Sequence, residues 1–346
     1  MPGPQTLNIL LLSDGLPGHV NQSRGLVSWL SERYCCEVTE LDISLRMKPL
    51  SRVMLPHLLH EAGWGAAIVP YFYAKSSLMS LLPSAPNLIL SAGGNTSFLN
   101  VALARRWRVP NVFLGSKRRL RSDDFAAHLT LEPTGEPHNI VMLLAPTLIN
   151  PQHVARKGHE LRLSLGVQSD EKLSMLAVGG DGAGCRYDSE EVEQLVQLMV
   201  QEYQCKGRRW LLTTSRRTGK ALEQKLKKNI PAELLVDSVW WSESPRKVMA
   251  AYMGAADHLF VTADSMSMIA EAIASNKPTM ILQPKGAQPE ARYREALQRF
   301  ERSGLCRLAV LGQPIDPAPV VSNAFARAKE ALLDELTASL GLSADP

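Results

Sequence analysis

The sequence lacks the cysteine pattern of a disulfide-stabilised or zinc-binding protein. Only 5 of its 346 residues are cysteines, and they are scattered without CxxC pairs or His/Cys metal spacing. A small secreted scaffold and a structural zinc domain are therefore not indicated, and free thiols suit a reducing compartment. The five are Cys35, Cys36, Cys185, Cys205 and Cys306.

Long apolar runs and a strong charge imbalance are also lacking. No segment reaches the ~20 apolar residues of a membrane-spanning helix, and no basic segment precedes the first apolar run, so we expect no secretory signal. A net charge of +4 is too small to indicate nucleic acid as a partner. These absences predict a cytoplasmic protein.

Several catalytic signatures are missing as well. There is no HExxH, no Ser-His-Asp order, no acid pair at glycosidase spacing and no DxD in a turn after a strand. We therefore expect neither a metal nor a cofactor, and any leaving-group charge would be neutralised by arginine, helix dipoles and backbone N–H groups.

Local basic and apolar segments nevertheless indicate a candidate surface for an anionic inner membrane. Basic residues cluster at 117–121 and 206–209, and an apolar, aromatic segment occupies 64–73. These segments suit peripheral membrane attachment. Solvated charge at the basic clusters and a helical hairpin covering a core are the alternatives.

Apolar runs alternate with helix-period segments through most of the chain. The two successive βαβ series predict an α/β protein with two facing Rossmann-like domains and ligands in the cleft between them. We predict domains at residues 1–150 and 151–322, with a last helix (323–346) crossing back to the first domain. The polar segment 150–158 is interpreted as a linker, and Ser244 before Pro245 predicts a helix start.

The segment 262–272 carries the clearest binding pattern. It follows an apolar run typical of a buried strand and opens a helix, so Asp264, Ser265, Met266 and Ser267 form a candidate anion site. Glu271, one turn further, suits a ribose diol, which indicates a nucleotide. Alternatively, Asp264 or Ser265 only caps the helix and Glu271 pairs with Lys277.

The first post-strand loop contains candidate catalytic groups. Asp14 and His19 are its acid and its imidazole, and either could deprotonate an acceptor hydroxyl; we slightly prefer Asp14, at the strand end. A tight turn with Asp14 as a helix cap is the alternative. The candidate substrate-binding residues of this loop are Gly15, Gly18, Asn21 and Gln22.

Three further loops follow predicted strands. Gly94 and Asn95 lie in a turn that suits an anion or an acceptor, or is a plain βα turn. Gly179 and Gly180 suit a diphosphate, although the loop is neither a Walker A motif nor a GxGxxG fingerprint. Ser215 and Arg216 suit phosphate through charge-assisted hydrogen bonds, although Arg216 or its neighbour Arg217 could simply be solvated.

Three motifs together resemble one protein family over nearly the whole chain. They are DGxPGHxNQS at 14–23, TTSRRT at 213–218 and VTxDSxSMxxEA at 261–272. They are similar to motifs of the family named for the plant elongated-mitochondria fission factor. Its bacterial members look like GT-B glycosyltransferases of lipopolysaccharide core assembly, and some are described as nucleotide-sugar epimerases.

The resemblance implies a role for each loop. It places a nucleotide-sugar donor on the second domain, with Glu271 on the ribose. The diphosphate would contact Ser265, Met266, Ser267, Gly179, Gly180 and Arg216. It places a lipid-linked saccharide acceptor near Asp14, His19 and Asn95.

We therefore expect a metal-independent GT-B glycosyltransferase. A non-hydrolysing nucleotide-sugar epimerase and a non-catalytic fission adaptor remain the alternatives.

Overall fold

The structure is a computed structural model that describes residues 6–61, 64–74, 85–314 and 323–342. These residues form two units. Unit 1 contains the described residues up to Leu148 and those from Arg327 onward, and unit 2 contains those from Ile149 to Ala326. Each unit is built on a six-stranded sheet, and the paired strands of both sheets are parallel. The predicted α/β class is confirmed.

The sheet of unit 1 is formed by apolar segments at the expected positions. Its strands are β1 (Thr6–Ser13), β2 (Cys35–Asp42), β5 (Leu88–Ala92), β6 (Asn111–Leu114), β7 (Ala127–Thr130) and β8 (Asn139–Val141). Their order is β2-β1-β5-β6-β7-β8. Every residue of β5 is buried, as expected for an interior parallel strand covered on both faces. Two short strands, β3 (Ser44–Leu45) and β4 (Tyr73–Ala74), pair antiparallel beside this sheet.

The described part of unit 1 also contains helices. They are α1 (Pro17–Leu30), α2 (Lys48–Glu61), α3 (Gly65–Ile68), α4 (Ser97–Trp107) and α11 (Ala324–Ser339), with a 3-10 turn at Val69–Phe72. Helix α11 is tied to the segment after α1 by ion pairs: Arg33 contacts Glu330 at 2.5 Å and Asp334 at 2.7 Å, and Lys329 contacts Glu32 at 2.6 Å.

Unit 2 repeats the alternation of strands and helices. Its strands are β9 (Leu173–Val178), β10 (Arg209–Thr214), β11 (Leu235–Val239), β12 (His258–Thr262), β13 (Thr279–Gln283) and β14 (Arg307–Val310). Its helices are α5 (Pro151–Ser164), α6 (Ser189–Lys206), α7 (Gly219–Asn229), α8 (Met249–Ala255), α9 (Met266–Ala274) and α10 (Ala291–Arg302). The strand order is β11-β10-β9-β12-β13-β14.

The segment 150–158 is helical, so its interpretation as a linker is wrong. Asn150 caps α5 by accepting a bond from the His153 N–H at 3.0 Å, and Pro151 opens the helix. Gly158 serves helix packing: a Cβ there would lie 2.0 Å from the carbonyl carbon of Gly254. Pro151 and Gly158 are residue types typical of loops, but here they mark a helix start and a close contact with Gly254.

The helix predicted to start at Pro245 begins only at Met249. The preceding residues form a turn in which the N–H groups of Glu243 and Ser244 both donate to the Trp240 carbonyl at 3.1 Å. Ser244 is therefore used in a turn instead of a helix cap.

Each sheet has a topological switch point, at which successive connections leave one strand toward opposite sides of the sheet. β1 lies between β2 and β5, and β9 lies between β10 and β12. Loops that leave the carboxyl ends of such strands diverge and leave room for a ligand. These positions hold the loops that the sequence singles out. Among the described helices, none has the length and apolar character needed to cross a membrane.

Candidate functional site

In unit 2, the loops after β9 and β12 are joined by Thr262. Its hydroxyl accepts a hydrogen bond from the Gly179 N–H at 2.7 Å and donates to Asp264 Oδ1 at 2.7 Å. A Cβ on Gly179 would lie 2.0 Å from Asp264 Oδ2. The glycine is therefore required for the two loops to approach this closely.

The loop after β10 is attached to the same glycine. The Ser215 hydroxyl donates to the Gly179 carbonyl, and the Thr218 hydroxyl donates to it at 2.7 Å. Gly180 has φ +136°, and a Cβ there would lie 2.3 Å from the Arg217 carbonyl oxygen. The three loops are thus linked by hydrogen bonds into one network, and Ser215 helps to fix its shape.

The two adjacent arginines have different environments. Arg217 Nη2 lies 2.7 Å from Asp264 Oδ2, whereas Arg216 is exposed and makes no hydrogen bond or ion pair with any described residue. Arg217 Nη1 also lies 2.4 Å from where a Cβ on Gly182 would be. From the sequence, phosphate contact is predicted for Arg216, whereas in the structure Arg217 lies against the glycine-rich loop. The spacing of two neighbouring arginines carries no signal that separates them.

Asp264 has an internal role. Its side chain is fully inaccessible, and burial raises its pKa although Thr262 and Arg217 oppose the shift. Its two oxygens are bonded to Thr262 and Arg217. The carboxylate therefore fixes the loops and the arginine.

The start of α9 offers open backbone donors. The cap residue Ser265 is buried and makes no side-chain capping bond, and its hydroxyl lies 3.3 Å from that of the exposed Ser267. The N–H groups of Met266 and Ser267 have no acceptor among the described residues. Free N–H groups at a helix start attract anions.

Glu271 is a half-buried carboxyl group without a partner in the described part of the chain. It forms no hydrogen bond or ion pair with the described residues, and burial alone raises its pKa to about 7. Lys277, the alternative partner, instead donates to the carbonyls of Ala256 at 2.9 Å and Gly254 at 3.4 Å. The alternative Glu271–Lys277 pair is therefore not formed, and Glu271 retains its hydrogen-bonding capacity.

A cavity of about 810 Å³ adjoins the glycine-rich loop. Its walls come from the loop after β9, the start of α6 and the loop after β13. Its carboxylates are Asp181, Asp188 and Glu191, and Arg186 is its basic residue. The volume is within the range of small-molecule sites. The loop after β13 is not predictable as part of a site from the sequence, because its polar residues form no recognisable motif.

In unit 1, Asp14 and His19 form a pair. His19 Nδ1 lies 3.0 Å from Asp14 Oδ2 and 3.1 Å from Oδ1. The Asp14 side chain is 7% exposed and that of His19 is 38% exposed. The carboxylate thus orients the imidazole and leaves Nε2 as its other polar atom.

The His19 ring packs on the turn after β5. A Cβ on Gly93 would lie 2.2 Å from His19 Nδ1. In the same turn, Asn95 Oδ1 accepts from Arg52 Nη2 at 3.0 Å, and the Asn95 carbonyl accepts from the Tyr73 hydroxyl at 2.7 Å. The structure therefore brings together the two unit 1 loops that the sequence selects.

The other predicted residues of the first loop have simpler environments. Gly15 has φ +73° and its N–H donates to the Ser13 hydroxyl at 3.2 Å. Gly18 and Asn21 are exposed, and Gln22 is half-buried. Gly15 meets the need for a left-handed residue in this tight turn.

The basic residues of the cluster at 206–209 all have acidic partners. Lys206 and Arg208 pair with Glu202, at 2.7 Å and 3.1 Å, and Arg209 pairs with Glu171. Within the part of the chain that the structure describes, no group of three or more His, Cys, Asp or Glu residues could hold a metal ion.

The chain belongs to the mitochondrial fission ELM1 family, whose model matches residues 17–331. This confirms the resemblance carried by the three motifs. No match is found among curated proteins.

Solved structures show the fold. UDP-GlcNAc 2-epimerase from Methanocaldococcus jannaschii aligns over 99% of this chain and 94% of its own, with TM-score 0.53 and 12% identity. Acinetobacter baumannii MurG aligns over 98% and 95%, with TM-score 0.47 and 14% identity. Escherichia coli ADP-heptose lipopolysaccharide heptosyltransferase II aligns over 96% and 98%, with TM-score 0.45 and 12% identity. The likeness to the archaeal epimerase and the two parallel six-stranded sheets define a GT-B-type fold.

Proposed function

We propose that the protein is a glycosyltransferase that moves a sugar from a nucleotide-activated donor to a lipid-linked saccharide, with lipopolysaccharide core as the candidate acceptor. The observation that carries the donor assignment is Glu271. A half-buried carboxyl group with no partner among the described residues, one turn behind the open N–H groups of α9, is suited to the two hydroxyls of a ribose. The same helix start and the glycine-rich loop suit the adjoining diphosphate.

Unit 2 supplies the charge needed by a leaving nucleoside diphosphate. When the bond from the sugar carbon to the phosphate oxygen breaks, the oxygen keeps the electron pair. The N–H groups of Met266 and Ser267, the exposed Arg216, and Arg217 beside Gly182 can stabilise this negative charge without a metal ion. UDP-sugars are the first donors to test, because UDP-GlcNAc is named for the archaeal epimerase of the same fold.

Unit 1 supplies the base. We assign this role to His19 and a positioning role to Asp14, because Asp14 is the more buried of the two and both of its oxygens face Nδ1. An Nδ1–H donated to the carboxylate leaves the Nε2 lone pair to accept the proton of the attacking hydroxyl. This reverses the slight preference for Asp14 drawn from the sequence.

An apolar face of unit 1 supports attachment to a membrane that contains the acceptor. Leu50, Val53 and Met54 lie on one exposed face of α2, at helical spacing. We call these three residues the α2 face; they and four other apolar side chains of residues 47–71 are 37% to 68% exposed. The four others are Met47, Trp64, Ile68 and Tyr71.

The charge beside the α2 face suits anionic lipid. Arg46 and Lys48 are exposed, and residues 43–60 include no acidic residue. Apolar side chains flanked by basic ones are typical of interfacial membrane binding. The protein would accordingly bind the inner membrane peripherally from the cytoplasm.

An epimerase is the second candidate. Cleavage and re-addition of a nucleotide on a glycal requires carboxylates around the sugar, and Asp181, Asp188 and Glu191 line the unit 2 cavity. Incubating the protein with a UDP-sugar and no acceptor separates the two activities. An epimerised nucleotide sugar supports the second candidate, whereas transfer that appears only with an acceptor supports the first.

Calorimetric titration with nucleoside diphosphates and nucleotide sugars tests the donor site. We expect Glu271→Ala to weaken nucleotide binding by about 10-fold or more, equivalent to 1.4 kcal/mol. Glu193→Ala removes an exposed carboxylate of unit 2 and is the matched control. If the wild-type protein binds no nucleotide, the family's third possibility, a non-catalytic adaptor, replaces both enzymes.

A further inference from the structure

Three side chains with basic groups contact the turn after β5, one at each of its consecutive residues 93–95. The His19 ring packs on the first residue and Arg118 on the second, where a Cβ would lie 2.3 Å from Arg118 Nε. Arg52 Nη2 donates to the side chain of the third at 3.0 Å. Three consecutive residues span about 7 Å, so the imidazole and the two guanidinium groups all contact one short segment.

Neither arginine has an acidic partner among the described residues. Arg52 is half-buried, and its contacts from Nε (3.3 Å) and Nη2 (3.0 Å) both go to the neutral amide oxygen of Asn95. Arg118 is exposed and makes no hydrogen bond or ion pair with the described residues. A half-buried guanidinium that meets only an amide oxygen retains most of its capacity to bind an anion.

The nearby acidic groups are already paired. Asp14 binds His19, and Glu136 binds Lys117 at 2.7 Å. Asp124 binds His60 at 2.9 Å and Arg105 at 2.5 Å. These described carboxylates therefore do not neutralise the positive charge beside the turn.

We propose that Arg52 and Arg118 bind an anionic group of the acceptor, a phosphate ester or a carboxylate, next to the hydroxyl that reacts. The proposal rests on the proposed function, because it takes His19 as the base. It narrows the acceptor to a saccharide with an acidic substituent close to the reacting hydroxyl. Arginine forks match the paired oxygens of both groups.

Selective isotope labelling gives a reporter at this turn. The sequence contains three Ala-Gly pairs, at 62–63, 92–93 and 183–184. Carbonyl carbon-13 alanine combined with nitrogen-15 glycine therefore selects three amide signals in the full-length protein. Gly93 reports on the acceptor turn, and Gly184 reports on the cavity of unit 2. Ala92→Ser and Ala183→Ser each remove one signal and so assign it.

The probes are glycerol 3-phosphate, glycerate, glycerol and inorganic phosphate. We expect the first two to shift the Gly93 signal saturably while glycerol does not. Arg52→Met with Arg118→Met should weaken this binding by about 10-fold or more. Arg119→Met is the matched control, because Arg119 is exposed in the same loop and has no partner among the described residues.

The outcomes separate this proposal from the proposed function. Three results overturn the acceptor assignment. The Gly93 signal does not shift with glycerol 3-phosphate or glycerate, shifts equally with glycerol, or shifts only with inorganic phosphate. Unchanged binding by the double variant, with an unchanged melting temperature, also overturns it. Titration with UDP tests the nucleotide site of unit 2 separately. A shift of the Gly184 signal with UDP supports that site, whether or not the Gly93 signal responds to the acidic probes.

Discussion

Arg217 Nη2 lies 2.7 Å from Oδ2 of Asp264, a carboxylate with no solvent exposure. Removing one partner of a buried ion pair leaves an uncompensated charge and is strongly destabilising. Because Arg217 is itself 41% exposed, we expect Arg217→Met to lower the free energy of unfolding by about 2 kcal/mol. Urea denaturation measures this.

Arg216→Met is the control for this pair. It should change the free energy of unfolding by less than about 0.5 kcal/mol, the usual range for surface substitutions, while weakening diphosphate binding. Arg217→Met combined with Asp264→Asn should recover most of the lost stability. Equal destabilisation by the two single arginine variants would contradict the distinction between them.

The raised pKa of Glu271 predicts that the protein loses stability as the pH rises. Its pKa is about 7 in the folded protein against an ordinary value of 4.5. The folded chain therefore holds this proton more tightly than the unfolded chain, and stability falls as pH rises from about 4.5 to about 7. Glu271→Gln should stabilise the protein by about 3 kcal/mol above that range and hardly at all below it.

Thermal or urea unfolding of Glu271→Gln across this pH range checks the sign. Glu193→Gln, an exposed carboxylate, is the control and should show no such difference from wild type. A stabilisation that is equally large at acidic pH would exclude the titration of Glu271 as its cause.

The Asp14–His19 contact predicts one tautomer of the imidazole. Because Nδ1 faces both carboxylate oxygens, neutral His19 should carry its proton on Nδ1. Nitrogen-15 NMR of the histidine ring distinguishes this from the alternative tautomer. Asp14→Asn should shift the population toward Nε2–H and, once substrates are known, lower kcat more than KM.

His19→Gln identifies the His19 signal and serves as the comparison for activity. If Asp14 positions His19, the double variant should be no slower than His19→Gln alone, because the two residues act as one unit. Independent, multiplicative losses would instead show that Asp14 acts on the substrate directly.

The α2 face predicts binding to anionic membranes. Leu50→Glu with Met54→Glu should abolish sedimentation with vesicles of phosphatidylglycerol and phosphatidylcholine in equal parts. Each substitution replaces an exposed apolar side chain with a charge that anionic lipid repels. Leu163→Glu changes an equally apolar residue of α5 that is 68% exposed, and should leave sedimentation unchanged.

Vesicles of phosphatidylcholine alone separate the charge contribution from apolar insertion. Wild-type binding should be weaker on them, and Arg46→Glu with Lys48→Glu should reduce binding to the anionic vesicles. Absence of wild-type binding, or a dimer in solution that the α2-face variant disrupts, would assign this face to another partner.

The close packing of Gly158 predicts that adding a side chain at this position destabilises the protein. A Cβ at this position would lie 2.0 Å from backbone atoms of Gly254, so α5 and α8 must separate in Gly158→Ala. We expect a loss of about 2 kcal/mol or more, as for other overpacked sites. Gly286→Ala is the control, since a Cβ there meets no atom within 4 Å, and chemical denaturation compares the two.

The sequence predicted the parts of the fold that local chemistry determines. Apolar runs such as 175–178 become strands because burial on both faces favours apolar residues. Polar loops after strands, including those with Asp14, Gly94 and Gly179, lie at the expected positions in the sheets. Where local signals serve two purposes the predictions failed, as at Gly158, whose role depends on a helix distant in sequence.

The candidate site was predictable as a set of loops, because strand order and motif spacing are encoded locally. The roles of individual side chains were decided by tertiary contacts between loops. Arg216 and Arg217 are chemically identical neighbours, and only the position of Asp264 distinguishes them. Likewise, Glu271 keeps its hydrogen-bonding capacity because Lys277 bonds to carbonyls of Gly254 and Ala256. Arg52 and Arg118 reach the same turn only because the fold brings α2 and the loop after β6 to it.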